Sequence, residues 1–495
     1  MKIQLALIAL FSCLSAAPAK TALQHLQEAP KPVFKAGHTL PPLTRWGWSM
    51  PYDVRLELCT NWGYALEFAG YLTPGAMEDL NIKTNGDNAR LVALSASDPK
   101  KFPLFVITHR PFGGLVKDGL TPDELKGLYV RDAEGRDIVD SLAKTSRTWR
   151  TISPEAPASI FKKVAEGSVK PLEELRKKTP IAIVLNGGEY GLTVQGHSGP
   201  YWAQDPVVLK AKGDRSWYDY ISEAKTRQEK PVADALRKAV PDRTLYLWYH
   251  FAGEPTWGDA AWSWDYKYTK ALTDLPTQSL YFRQFNSGWT GRQDLLTYHL
   301  ASVAQAISHY QHPLSYNWVC GGWVSNRFSD RAQYTGFLKC VYMAGSLGNV
   351  AGYFSHPDGL RGEDVGEEPP HWLFQMMVLG RVHATFSHLE DFLRRGDLLP
   401  GPDTNRNPNA AGLPAYEFPT GFPDARVLVR RLRDKPEWLV AAWAADGRAR
   451  EVTVSLPQAG AVTVMATPEA SLTRVTADFK TDYEPPELTL TPVQE

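Results

Sequence analysis

The sequence predicts an α/β fold class, a (β/α)8 TIM barrel followed by a small all-β sandwich domain, on three observations. Eight short apolar runs, each bounded by glycine, proline or polar turn residues, alternate with longer segments of helical periodicity. The runs are apolar throughout rather than alternating, which suits parallel strands covered on both faces. Beyond about residue 400 the hydrophobic period changes to two, the mark of strands with one face buried. A doubly wound open sheet is the competing arrangement for the first part.

In chain order the strand candidates are 43–48, 65–72, 104–108, 181–185, 244–251, 280–285, 314–319 and 350–354. The intervening segments read as helices. In DLLTYHLASVAQAISHY, Leu296, Leu300, Val303 and Ile307 recur at helical spacing and share one face. After a helical stretch from His371 to about Leu393 comes GDLLPGPDTNRNPNAAGLP, rich in Pro, Gly and Asn, which marks a boundary. The barrel is therefore assigned to 20–400 and the sandwich to 401–495. In the latter, ARVLVRRLR, EWLVAAWAADGR, EVTVSLP, AVTVMAT and LTLTPV alternate, with Asp446-Gly447 expected as a hairpin turn. Packing against the barrel as support is its expected role.

The first residues, MKIQLALIALFSCLSAAPAK, combine Lys2, an apolar run and Ala17-Pro18-Ala19, the pattern of a signal peptide spanning 1–19 and cut after Ala19. A secreted or periplasmic product is expected. Cys13 opens a lipid-anchored alternative, disfavoured by Phe11. No later run approaches the roughly 18 uncharged apolar residues of a membrane span. Lys+Arg and Asp+Glu are both 54, so the basic excess of a nucleic-acid binder is absent. Cys59, Cys320 and Cys340 allow either one disulfide, Cys320 with Cys340, and a buried thiol, or three buried thiols. Their spacing does not suggest zinc, and neither metal nor cofactor is expected. The sequence assigns no oligomeric state.

In such a barrel the loops after the strands converge at the carboxyl ends, which turns the strand order into an order of site residues. Strand one gives Arg45, Trp46 and Trp48; strand two Glu67; strand three His109 and Arg110; strand four Asn186, Glu189 and Tyr190, with Trp202 and Asp205 beyond. Strand five leads to His250, Glu254 and Trp257, strand six to Arg283, Asn286 and Trp289. Strand seven gives Asn317, Trp318, Trp323, Asn326 and Arg327, and strand eight His356 and Asp358.

Tryptophan is abundant, 16 in all, and many fall at these ends, where flat aromatic faces serve as stacking platforms for sugar rings or as rim packing. Hydrolysis of a glycosidic bond needs one group to protonate the departing oxygen and a second to attack or to activate water, normally an Asp/Glu pair. Glu189, in LNGGEYG, is the leading acid/base: it follows a buried strand, and the two glycines before it let the backbone turn under a substrate. Its partner is expected to be Glu254, on the next loop, or Asp358, beyond strand eight, or Asp205, folding back from its own loop. Arg110, Arg283 and Arg327 suit a carbohydrate bearing sulfate or uronic carboxylate groups, and equally suit structural ion pairs.

With these residues the chain resembles the secreted glycoside hydrolases that join a (β/α)8 catalytic barrel to a β-sandwich, the clan typified by cellulases and β-galactosidases. That resemblance implies that strand four ends in Asn-Glu, the Glu being the acid/base, and that strand seven supplies a nucleophilic Glu. Here Gly187 and Gly188 separate Asn186 from Glu189, and strand seven, SYNWVCGGW, carries no carboxylate. The second carboxylate then comes from another strand, the mechanism is inverting, or the protein has lost activity; cleavage assisted by a substrate group is a variant of the hydrolase reading. Two alternatives of another class are a non-catalytic glycan-binding barrel and a metal-dependent hydrolase using His109, His250 and His356. No H-x-H or H-E-x-x-H pattern accompanies those histidines.

Overall fold

The computed structural model describes residues 20–46, 50–83, 85–108, 120–140, 149–150, 152–186, 199–248, 265–281, 295–320, 331–352, 369, 371–405, 410–476 and 480–482. Eight parallel strands among them follow the expected order: β1 (Thr44–Trp46), β2 (Leu66–Leu72), β3 (Leu104–Thr108), β4 (Ile183–Asn186), β5 (Leu245–Trp248), β6 (Ser279–Tyr281), β7 (Ser315–Cys320) and β8 (Ser346–Gly352). Strand four ends on Asn186, so this residue belongs to the sheet and not to the loop after it.

The helices fall between them. Before β1 lies α1 (Ala22–Glu28), and α2 (Tyr52–Asn61) joins β1 to β2. Between β2 and β3 come α3 (Pro74–Ile82) and α4 (Asp87–Ser97); between β3 and β4 come α5 (Pro122–Leu128), a short antiparallel pair (139–140 with 149–150) and α6 (Ala158–Arg176). Between β4 and β5 lie α7 (Gly199–Trp202), α8 (Pro206–Lys212) and α9 (Trp217–Ala239). Then follow α10 (Tyr266–Thr269) before β6, α11 (Leu295–Tyr310) before β7 and α12 (Arg331–Met343) before β8. Finally α13 (His371–His388) and α14 (Glu390–Arg394) lead out of the parallel region.

The parallel strands form two four-stranded arcs, β1-β8-β7-β6 and β2-β3-β4-β5. A single parallel bridge, Leu43 with Tyr64, connects the arcs at β1 and β2, where Ala65 N–H donates to Leu43 O at 2.8 Å. At the other junction β5 and β6 share no ladder. There the Thr277 hydroxyl, just before β6, donates to Trp248 O at 2.6 Å. Among the described residues the strands thus form two arcs whose order is that of a (β/α)8 unit, with no ladder between β5 and β6 to close them.

The apolar runs explain the burial. On β3, Phe105 and Ile107 join one core with Ile183, Leu185 and Leu247, while Leu104 and Val106 face a second core with Phe161 and Leu172 of α6 and Val232 and Leu236 of α9. Both faces are covered, so no polar alternation is possible. Cys59, Cys320 and Cys340 are all buried thiols, the second of the two cysteine arrangements; burial pushes the Cys59 thiol up to about 12.

The C-terminal part holds a five-stranded antiparallel sheet of β9 (Gly396–Leu398), β10 (Ala425–Leu432), β11 (Glu437–Ala444), β14 (Ser471–Thr476) and β15 (Lys480–Asp482), in the order β9-β10-β11-β14-β15. A separate pair is formed by β12 (Arg450–Leu456) and β13 (Gly460–Ala466). Alternate residues sort the two faces. Leu428, Leu432, Leu439, Ala441 and Trp443 enter the core of the parallel strands, while Val427, Val429, Val440 and Ala442 meet Val452, Val454, Val462 and Val464 of the β12–β13 pair.

Two expectations change here. Asp446-Gly447 is a turn but not a hairpin: β11 pairs with β10 and β14, and β12 pairs with β13, so the turn at Gly447 (φ 79°) passes the chain between sheets. The reason lies in β12, where Glu451, Thr453 and Ser455 are exposed and Val452, Val454 and Leu456 buried. A strand apolar on one face only cannot extend a sheet covered on both. The stretch SLTRVT also forms a strand, β14, that the sequence reading passed over, whereas LTLTPV lies outside the described residues.

Candidate active site

Because the eight strands are parallel, their carboxyl ends share one end of the arcs, where the chain leaves Trp46, Leu72, Thr108, Asn186, Trp248, Tyr281, Cys320 and Gly352. Glu189 follows Asn186 by three residues, Glu254 follows Trp248 by six and Asp358 follows Gly352 by six, in the sequence. Glu189, Glu254 and Asp358 lie outside the described residues, as do Trp48, His109, Arg110, Tyr190, His250, Trp257, Arg283, Asn286, Trp289 and His356.

The described candidates have defined surroundings. Asn186, 5 % exposed, ends β4 between Thr108 of β3 and Trp248 of β5, and the Thr108 hydroxyl reaches its Oδ1 at 3.5 Å. Trp46 is half-buried and meets Trp318 edge to face, with ring centroids 5.0 Å apart. Asn317 is buried in β7, its Nδ2 donating to Ser315 Oγ at 2.9 Å.

Two candidates expected to touch substrate are occupied elsewhere. Trp202 is fully buried, donates from its indole to Ile152 O at 3.1 Å and packs on Trp217. Asp205 is the N-cap of α8: its Oδ1 accepts from the N–H of Val207 at 2.8 Å and of Val208 at 3.3 Å, and its Oδ2 accepts from Arg131 N–H at 3.0 Å. The Asp-Pro sequence in PYWAQDP signals such a cap followed by proline at the first helical position. Read that way, it places Asp205 in a helix start instead of a returning loop.

Ion pairs account for the other buried carboxylates on or beside the strands. Glu67 on β2 accepts from Arg45 Nε of β1 at 2.6 Å, and its backbone carbonyl accepts from Arg55 Nη1 of α2 at 3.2 Å. Burial raises the Glu67 pKa, opposed by the two arginines. Glu229 on α9 pairs with Lys225 one turn earlier and accepts from the Trp248 indole. Burial raises the pKa of this carboxyl and lowers that of the lysine. The sequence reading placed Arg45 and Glu67 at strand ends but not as a pair, and it passed over Lys225 and Glu229. The four-residue spacing of Lys225 and Glu229 on an otherwise apolar helix face was the available signal. Among the described residues no group of three or more His, Cys, Asp or Glu is placed to hold a metal ion. No helix among them is long and apolar enough to cross a membrane.

No family model and no curated protein matches the chain. Among solved structures it is similar to α-L-fucosidase isoenzyme 2 from Paenibacillus thiaminolyticus, with a TM-score of 0.39 and 12% identity, covering 75% of this chain and 51% of that one. The chain thus spans about half the length of that fucosidase. It is also similar to a noncanonic maltogenic α-amylase, AmyB, from Thermotoga neapolitana, with a TM-score of 0.39 and 10% identity, covering 94% of this chain and 95% of the other. With Amy13B of Eubacterium rectale the TM-score is 0.39 and the identity 9%, over 95% of this chain and 100% of that one. Likeness of this degree does not extend to activity.

Proposed function

We propose that the chain is an exported glycoside hydrolase whose two arcs close as a (β/α)8 barrel and whose acid/base is Glu189. The observation that carries this reading is the position of Asn186. It is buried at the carboxyl end of β4, flanked by parallel partners on both sides, and the sequence reaches Glu189 three residues later. In parallel α/β folds, ligands gather outside the carboxyl ends of strands. The described buried carboxylates support the same choice: Glu67 and Glu229 are ion-paired and Asp205 caps a helix, which leaves the carboxylates of the connecting segments for chemistry.

In this reading the Glu189 carboxyl protonates the glycosidic oxygen as the C–O bond breaks. A second carboxylate, Glu254 or Asp358, either attacks the anomeric carbon or deprotonates the water that does. Attack gives retention and calls for carboxyls about 5–5.5 Å apart; activation of water gives inversion and calls for about 6.5–9.5 Å. Trp46 and the loop tryptophans offer faces for sugar rings, and Arg110, Arg283 and Arg327 would bind sulfate or uronic groups if the glycan carries them.

The test compares Glu254→Gln with Asp358→Asn on a glycan the protein cleaves, with the anomer of the fresh product read by NMR. One variant should lose hydrolysis and the other retain it. Full activity in both removes the proposed pairing.

A further inference from the structure

Between α1 and β1 the sequence PKPVFKAGHTLPP forms neither helix nor strand, and Pro30, Pro32, Pro41 and Pro42 have no N–H to give to either. Residues 30–42 instead lie along α13 and α14 and are tied there by hydrogen bonds. Lys35 N–H donates to Ser387 Oγ at 2.8 Å and Thr39 N–H to Glu390 Oε2 at 2.9 Å. His388 Nε2 meets Val33 O at 3.0 Å, and Arg394 Nη2 donates to Thr39 O at 2.7 Å. A turn closed by His38 N–H to Lys35 O at 3.2 Å, with Gly37 at φ 74°, stacks the Phe34 and His38 rings at 5.5 Å.

Those two rings cover His383 of α13. The His383 ring lies 5.8 Å from Phe34 and 6.4 Å from His38, edge to face in both cases, and its Nδ1 is 2.8 Å from the Tyr342 hydroxyl of α12. His383 is buried, while Phe34 and His38 are half-buried. Each element packed here contributes a known group. From α14 comes Glu390, whose carboxylate accepts from the N–H and hydroxyl of Thr39 and pairs with Arg394; from the end of α13 comes His388. After α2 comes Gly63, where an added Cβ would stand 2.5 Å from Phe34, so that side contributes backbone alone. Burial lowers the His383 pKa to about 3, with His38 adding to the effect, and burial lowers that of His38 as well, opposed by Glu390 and helped by His388.

We propose that residues 30–42 form an acid-released strap, closed over His383 near neutral pH and freed from α13 and α14 when His38 and His383 take up protons. An open strap leaves both rings in water, where they protonate below about pH 6.5, whereas the closed strap keeps them neutral. The closed form is therefore fully favoured above about pH 6.5. As pH falls it loses up to about tenfold in relative population per pH unit for each imidazole. Glu390 is already engaged by Thr39 and Arg394; against burial, these hold its carboxyl below the usual range, so its own protonation opens the strap only at lower pH. The strap runs directly into β1, so its release acts on the entry to the strand that carries Trp46.

Hydrogen exchange of the full chain, read by mass spectrometry at about pH 7 and about pH 5 and corrected for the intrinsic pH dependence of exchange, tests this. Peptides containing Lys35 and Thr39 report the strap, because those N–H groups bond to α13 and α14; peptides from β3 and β4 report the core. Strap protection should fall at least about tenfold between the two pH values and stay below that of the core at both, the mark of local opening. His383→Gln and His38→Gln should each remove part of the fall, and the two together most of it. His38→Gln, on the half-buried strap, carries the test should His383→Gln fail to fold. Strap protection that does not change with pH, protection equal to that of the core, or the full fall retained in His38→Gln overturns the proposal. A fall that persists in both histidine variants and disappears in Glu390→Gln also overturns it, since the carboxylate would then be the titrating group.

Discussion

The indole of Trp248, the last residue of β5, donates to the Glu229 carboxylate of α9, and Lys225 over the same ring completes a buried pair with that carboxylate. This pair fixes the carboxyl end of β5, from which the chain proceeds to Glu254. Glu229→Leu leaves the Lys225 ammonium buried and unpaired, and should cost about 3–5 kcal/mol of unfolding free energy in urea titration. Lys225→Leu combined with Glu229→Leu removes both charges and should recover most of that loss. Equal destabilisation in the single and double variants would contradict the pairing.

Asp205→Ala removes a helix N-cap and an acceptor for Arg131 N–H, and should lower stability by about 0.5–2 kcal/mol. Its turnover of a cleaved glycan should match that of the unsubstituted protein at a temperature where both are folded. A large fall in kcat with unchanged stability would return Asp205 to the chemistry.

Arg430, fully buried on β10, donates to the carbonyls of Met343, Phe392 and Leu393, at the ends of α12 and α14, and of Gly396, the first residue of β9. It therefore joins the C-terminal sheet to the parallel region through backbone groups that no other helical N–H can satisfy. Arg430→Met should destabilise by at least about 3 kcal/mol, since several buried acceptors lose their donor at once. Calorimetry should show both regions unfolding together at a lower Tm.

His299 and His383 are buried, and burial lowers the pKa of each from the usual 6.5 to about 3. The folded chain therefore keeps them neutral while the unfolded chain protonates them below about pH 6.5. Their contribution is fully present above pH 6.5 and is lost as pH falls toward 3, with a slope of up to about 1.4 kcal/mol per pH unit for each. Urea titrations between pH 7 and 5 should show stability falling, and His383→Gln should flatten the slope. A slope unchanged by the substitution would contradict burial of that imidazole.

What was legible in the sequence follows from what each signal depends on. Strand order was readable because a strand covered on both faces must be apolar throughout, and LFVIT and IVLN meet that demand locally. The β5–β6 junction was not readable, because there the Thr277 hydroxyl, and not a ladder of backbone N–H groups, meets Trp248 O, a contact across the fold. Sheet membership of β12 was misread for a similar reason: a turn such as Asp446-Gly447 fixes local geometry and not which strands pair afterwards. For the site, the position of Asn186 was within reach of pattern reasoning to one residue. The cap at Asp205 was also within reach, through Asp205-Pro206, but the bonds of Trp202 to Ile152 and of Asp205 to Arg131 were not, since those partners come from elsewhere in the chain.

The central claim is that Glu189 is the acid/base of a glycan hydrolase. The most direct measurement incubates the protein and its Glu189→Gln variant with neutral, sulfated and uronic-acid polysaccharides and follows new reducing ends. The account predicts release from at least one polysaccharide, lost by a factor of about 10² or more in the variant while its Tm stays unchanged. Release by the variant at the full rate, or no release from any polysaccharide, would contradict it.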